Sequence, residues 1–153
     1  MTADQVPGLT YDESVIGKEV EVGSFTVTAE QIAAYCEAVG ETSPLHTDPE
    51  AAAKGPYGAL TAPPGLVHAV QLERGLDAKI QFPGVAFHAG ERIESLAPLR
   101  VGDTVTAYNQ VKEVYAKTGR TGSMVFEVRR TEYRNQDGTP VVATETSFVR
   151  REV

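Results

Sequence analysis

Apolar positions recur at helical spacing in the first half of the chain and alternate with polar ones in the second. Ile32, Tyr35, Cys36 and Val39 fall at i, i+3, i+4 and i+7, so they share one helix face. Thr28 with Gln31 three positions later forms a capping box that starts this helix, and Gly40 is placed to end it in a left-handed turn. Before it, Val20, Val22, Phe25 and Val27 make a short β-rich run broken by Gly23. Asp48 and Pro49 read as cap and first position of a short second helix holding Ala51 to Ala53, with Gly55 after it. A loop broken by Pro56, Gly58, Pro63 and Pro64 follows. Leu66, Val67, Val70 and Leu76 then predict a third helical stripe.

From Val85 onward the texture is that of strands. Turn signals at Pro98, Gly102-Asp103, Gly119 to Gly122 and Asp137-Gly138 separate four β-rich runs. Val105, Ala107, Val111 and Tyr115 lie among polar residues, Met124, Phe126 and Val128 alternate with them, and Val141 to Val149 is mostly β-branched. Helices first and hairpin-connected strands afterwards predict an α+β fold, an antiparallel sheet with a helix on one face. Nucleotide-binding α/β folds are excluded because strands and helices do not alternate. The expected organisation is a loose lead-in over residues 1–14, carrying Pro7 and Gly8, and one domain over 15–153.

Composition narrows the partners. With 41% hydrophobic and 23% charged residues the chain is an ordinary globular sequence. Fourteen basic against twenty-one acidic residues leave a formal charge of −7, which repels phosphate backbones, so nucleic acid is not an expected partner. No apolar run reaches the roughly eighteen residues that span a bilayer, no membrane partner is expected, and the expected location is cytoplasmic. The single cysteine, Cys36, cannot form an internal disulfide, and no Cys/His pair has zinc-ligand spacing, so no metal is expected. On its helix face Cys36 reads as a small hydrophobe.

Candidate chemistry concentrates in Gly40-Glu41-Thr42-Ser43-Pro44-Leu45-His46-Thr47-Asp48. A carboxylate and an imidazole lie five positions apart across a proline, the residue types of a general acid/base pair. This stretch resembles the Gly-Asp-x-Asn-Pro-Leu/Ile-His-x-Asp signature of the (R)-specific enoyl-CoA hydratases and 3-hydroxyacyl-thioester dehydratases, the MaoC-like hotdog proteins. Gly40, Pro44, Leu45, His46 and Asp48 match it. Tyr57 to Pro64, Pro98 to Thr104, Lys117 to Gly122 and Thr131 to Gly138 resemble the fatty-acid-synthase-like N-terminal dehydratase subfamily. The likeness runs from about Val15 to Arg150.

The resemblance implies a single hotdog, a curved antiparallel sheet wrapped around a central helix over Gly65 to Leu76. It implies two hotdogs side by side, as a homodimer or as a heterodimer with a related hotdog subunit. The implied reaction is reversible hydration of trans-2-enoyl thioesters, or dehydration of the (3R)-hydroxyacyl forms, on coenzyme A or acyl carrier protein. His46 and Glu41 would be the catalytic pair, Ser43, Pro64, Gly65 and His88 would meet the substrate, and no cofactor is needed. Amides at the start of the third helix, near Gly65, would hold the thioester oxygen.

Three positions depart from the pattern: Glu41 for Asp, Ser43 for Asn, and Pro64 where active relatives carry the glycine whose amide serves the oxyanion. They motivate an alternative, a non-catalytic subunit that walls the site of an active partner. A hotdog thioesterase, directing water at the carbonyl, is a second alternative. Of the other polar residues, Asp48 is explained by capping, His68 by packing or an interface, and Arg120 by a solvated hairpin tip or a phosphate contact.

Overall fold

Alternation builds the sheet. In the computed structural model, which describes residues 6–152, five strands pair antiparallel: β1 (Val20–Thr26), β2 (Val85–Ser95), β3 (Thr104–Gly119), β4 (Gly122–Arg134) and β5 (Pro140–Arg151). Their order across the sheet is β1-β3-β4-β5-β2. Register breaks at Glu21/Gly23, His88/Gly90, Val111/Glu113 and Tyr133/Arg134 mark bulges, which bend strands and let the sheet curve. The four runs expected after Val85 are β2 to β5.

One face of the sheet carries Val105, Ala107 and Val111 from β3, Val125 and Tyr133 from β4 and Val142 from β5, all buried. The longest helix, α1 (Ala29–Val39), covers one end of that face through Ile32 and Cys36. Its boundaries are those its sequence dictates. Thr28 accepts from the Gln31 amide while Gln31 accepts from the Thr28 amide, and Gly40 ends the helix at φ 71°. Two short helices follow, α2 (Pro44–Thr47) and α3 (Pro49–Ala53), the latter capped by Asp48 through the Glu50 and Ala51 amides.

The expected central helix over Gly65 to Leu76 is absent. A 3-10 turn spans Pro64–Ala69, and residues 70–84 have no helix at all. Tertiary contacts override the local pattern. The Glu73 amide donates to Val22 O at 2.8 Å, drawing the segment alongside β1, and Gly75 passes so close to Asn109 that a Cβ would collide with the amide side chain. Beyond Asp77 the chain runs without helix and turns left-handed at Lys79 (φ 50°), with Ala78, Ile80 and Phe82 buried and Lys79 and Gln81 exposed.

The loose lead-in is also corrected from residue 6 onward. Thr10 pairs with Gln81, the Asp12 amide donates to Ala78 O, and Val6 is buried with Ile80, Phe82 and Val111. Two helix-free stretches thus close the second end of the face. Residues 1–5 of that expectation lie outside the described residues.

Candidate functional site

The turn after α1 fixes the first functional side chain. Gly40 reverses the chain, the Glu41 amide closes on Cys36 O at 2.9 Å, and Glu41 Oε1 accepts from the Ser43 amide at 2.7 Å. Ser43 therefore acts here through its backbone, as the residue that holds the carboxylate. Pro44 opens α2, whose single turn carries His46.

His46 is held by the chain fifteen residues on. Its Nδ1 lies 2.6 Å from Thr61 O, and Thr61 in turn donates its amide and hydroxyl to Leu45 O at 3.1 and 3.2 Å. A carbonyl oxygen only accepts, so Nδ1 carries the hydrogen. That leaves Nε2 as the ring nitrogen available for proton transfer. Thr61 is 2% exposed, which makes this anchor rigid. The sequence gives no motif for it, because the partner atom is a backbone carbonyl brought near by folding.

Two cavities have His46 in their lining. One, of about 480 Å³, lies against α1 and contains Glu41, His46, Cys36 and Leu60 among its walls. Glu41 and His46, singled out in the sequence, are thus both among the residues that line one space. The other, of about 420 Å³, is walled by His46, Thr61, Pro64, Ser95, Leu99 and Val142, among others. Both fall in the size range of small-molecule sites.

Cys36 lies between the two catalytic candidates. Its Sγ is 3.8 Å from His46 O, and burial, then the neighbouring Glu41 charge, push its thiol pKa up. Both effects disfavour the thiolate that a nucleophilic cysteine needs.

The remaining expected residues divide. Pro64 lines the second cavity and has no N–H to donate, whereas Gly65 follows it against Tyr35, so close that a Cβ would collide with the tyrosine hydroxyl. His88 is not brought to either cavity. It sits exposed on β2, edge-on to Phe148 with ring centroids 5.9 Å apart. Arg120 lies exposed at the β3–β4 hairpin, away from both cavities. A basic residue that sequence reasoning passed over, Arg100, lies beside the second cavity, its Nε donating to Tyr57 O at 3.1 Å. Among the described residues no group of three or more His, Cys, Asp or Glu is arranged to hold a metal ion, and no helix is long and apolar enough to cross a membrane.

Comparison with known proteins agrees with this architecture. The model of the family described as FAS1-like, dehydratase domain region, matches residues 14–144. A UPF0336 protein of Streptomyces avermitilis is 28% identical over 150 residues, covering 94% of this chain and 97% of that protein; its name states no activity. Among solved structures, a MaoC-like dehydratase from Rhodospirillum rubrum superposes with a TM-score of 0.68 at 23% identity, covering 94% of this chain and 99% of the other. The HadBC (3R)-hydroxyacyl-ACP dehydratase complex of Mycobacterium tuberculosis gives 0.67 at 23% identity, covering 90% and 98%. The fold is the hotdog, α+β, as the sequence led us to expect, with its central helix reduced to a 3-10 turn.

Proposed function

The chain belongs to the FAS1-like dehydratase domain family, and from that premise we propose that it adds water reversibly to trans-2-enoyl thioesters of coenzyme A or acyl carrier protein. The observation that carries the reading is the single cavity shared by Glu41 and His46, with the imidazole tautomer set by Thr61 O. Glu41 and Nε2 of His46 hold a water between them. As its oxygen bonds to C3, Nε2 takes one of its protons, and the same site returns a proton to C2. Negative charge passes meanwhile to the thioester oxygen, where the Gly65 amide supplies a donor that Pro64 cannot. In the reverse direction the (3R)-hydroxyl leaves as water. The reaction uses the protein's own groups and the thioester, and a cytoplasmic location fits it.

The sheet edge supports pairing with a second hotdog. β2 is an eleven-residue edge strand whose Val85, Phe87 and Ile93 are 59%, 49% and 43% exposed. A long edge with apolar side chains is a template for another strand. The opposite edge, β1, is shorter, at seven residues. The partner is an identical chain or a related hotdog subunit.

A second reading has its own observation. Pro64 removes a donor at the oxyanion position, so the chain could instead wall the site of an active partner. Crotonyl-CoA hydration by the purified chain separates the two. Turnover lost in His46→Ala supports the enzyme, and turnover appearing only with a second hotdog protein supports the subunit. Release of free thiol without loss of the enoyl group would mean thioester hydrolysis.

A further inference from the structure

The two cavities at His46 differ in charge and in lining. The one against α1 is walled by Ala29, Ala33, Cys36 and Leu60, and its acidic members are Glu37 and Glu41. Two carboxylates and a net charge of −7 make it hostile to phosphate. Apart from those carboxylates, His46 and Thr47, it offers an alkyl chain small apolar side chains and the room that alanines leave.

The second cavity has no carboxylate in its lining. Thr61, Ser95 and Tyr57 stand among apolar walls such as Leu45, Leu99 and Val142, and Arg100, next in sequence to Leu99, donates its Nε to Tyr57 O. Among the described residues Arg100, like Arg74, Arg120, Arg150 and Arg151, makes no salt bridge, and unlike them it donates to a residue that lines this cavity. A guanidinium held by one backbone carbonyl beside a cavity is suited to a phosphate.

We propose that substrate binds in one direction across His46, its acyl chain in the α1 cavity, where Ala29 and Ala33 set the usable length, and its phosphate-bearing handle leaving through the second cavity past Arg100. The thioester carbonyl then lies between them, on the Pro64-Gly65 side of the imidazole. This rests on the acyl-thioester reading above and deepens it by naming which cavity receives which part. The preferred substrate is an acyl chain longer than four carbons. Ala33 acts as the gauge of chain length, and Arg100 as the contact that tells a phosphorylated handle from a bare pantetheine.

Equilibrium binding tests the assignment without needing turnover. Calorimetric titration with saturated butanoyl-CoA, octanoyl-CoA and the phosphate-free octanoyl-pantetheine is run on the protein in the assembly in which it purifies. Wild type binds octanoyl-CoA more tightly than butanoyl-CoA. Ala33→Phe reduces that preference by about tenfold or more, because several methylenes lose their pocket. Ala33 is exposed on α1, so the larger side chain enters the cavity without disturbing the core, and Ala33→Leu serves as a smaller version of the same block. Arg100→Ala weakens octanoyl-CoA about tenfold and octanoyl-pantetheine far less. Equal losses for both chain lengths in the Ala33 variants, equal losses for both handles in Arg100→Ala, or no binding of acyl-CoA would overturn the proposal. A wild type that shows these preferences yet hydrates neither crotonyl-CoA nor trans-2-octenoyl-CoA upholds it and sinks the hydratase reading, and a hydratase with flat preferences does the reverse.

Discussion

The covered face of the sheet is closed differently at its two ends. At one end α1, the short helices and the 3-10 turn pack Ile32, Cys36, Leu66 and Val67 onto Val105, Ala107 and Tyr133. At the other, helix-free chain lays Val6, Ala78, Ile80 and Phe82 onto Val111, Ala116 and Val125. Between them the same face is polar, with Asn109, Thr131 and Thr144 in one row and Arg129, Thr146 and Glu91 in the next. His68 reaches from the 3-10 turn to Glu91 at 3.2 Å but is itself exposed, so it is not packed into the core. The contrast teaches where chemistry can sit. Helix-free segments fit the pleat closely, whereas the joints between short helices leave gaps, and both cavities at His46 are such gaps.

The largest expected effect separates the ends by activity. If the first end holds the chemistry, His46→Ala lowers kcat/KM for enoyl-thioester hydration by about 10²- to 10⁴-fold. Its unfolding free energy falls by only about 1–3 kcal/mol, from the lost partner of Thr61 O, so the variant is assayed folded. Core truncation sharpens the contrast by stability. Ile32→Ala and Ile80→Ala each cost about 2–5 kcal/mol in denaturant unfolding, since both side chains are buried. Only the first also lowers the activity of the folded fraction, because Ile32 supports the helix that ends at Glu41. Equal activity losses from both would break the comparison.

A third outcome concerns pH. Burial, then Glu91, push the Tyr133 hydroxyl up to about 12 from 10. The folded state therefore favours the protonated phenol, so this contribution is full below pH 10 and is lost as pH rises towards 12. Tyr133→Phe should flatten the fall in stability over that window relative to wild type, as read from denaturation curves. The smallest effect belongs to the α1 cap, where Thr28→Ala removes an N-cap acceptor and costs about 1 kcal/mol.

Legibility followed the range of the forces involved. The capping box at Thr28, the left-handed turn at Gly40 and the Asp48 cap are set by neighbours within three or four positions, and each stands where the residues put it. The strands after Val85 were legible because alternation is also local. The third helix failed because Leu66, Val67 and Val70 suit a helix in isolation, while Glu73 pairing with Val22 and Gly75 crossing Asn109 involve residues far off in sequence. At the site, Glu41 and His46 could be read from one short stretch. Thr61 as the anchor of the imidazole, the second cavity and Arg100 beside it could not, because each depends on chain brought from fifteen or more positions away.

The most direct measurement is a double-mutant cycle on crotonyl-CoA hydration with His46→Ala, Glu41→Gln and both together. Two groups working on one water predict that each single change lowers kcat/KM by about 10²-fold or more. The double variant should then be little worse than the poorer single one. Wild-type rates in either single variant, or losses that simply multiply, would contradict a shared role for this imidazole and this carboxylate.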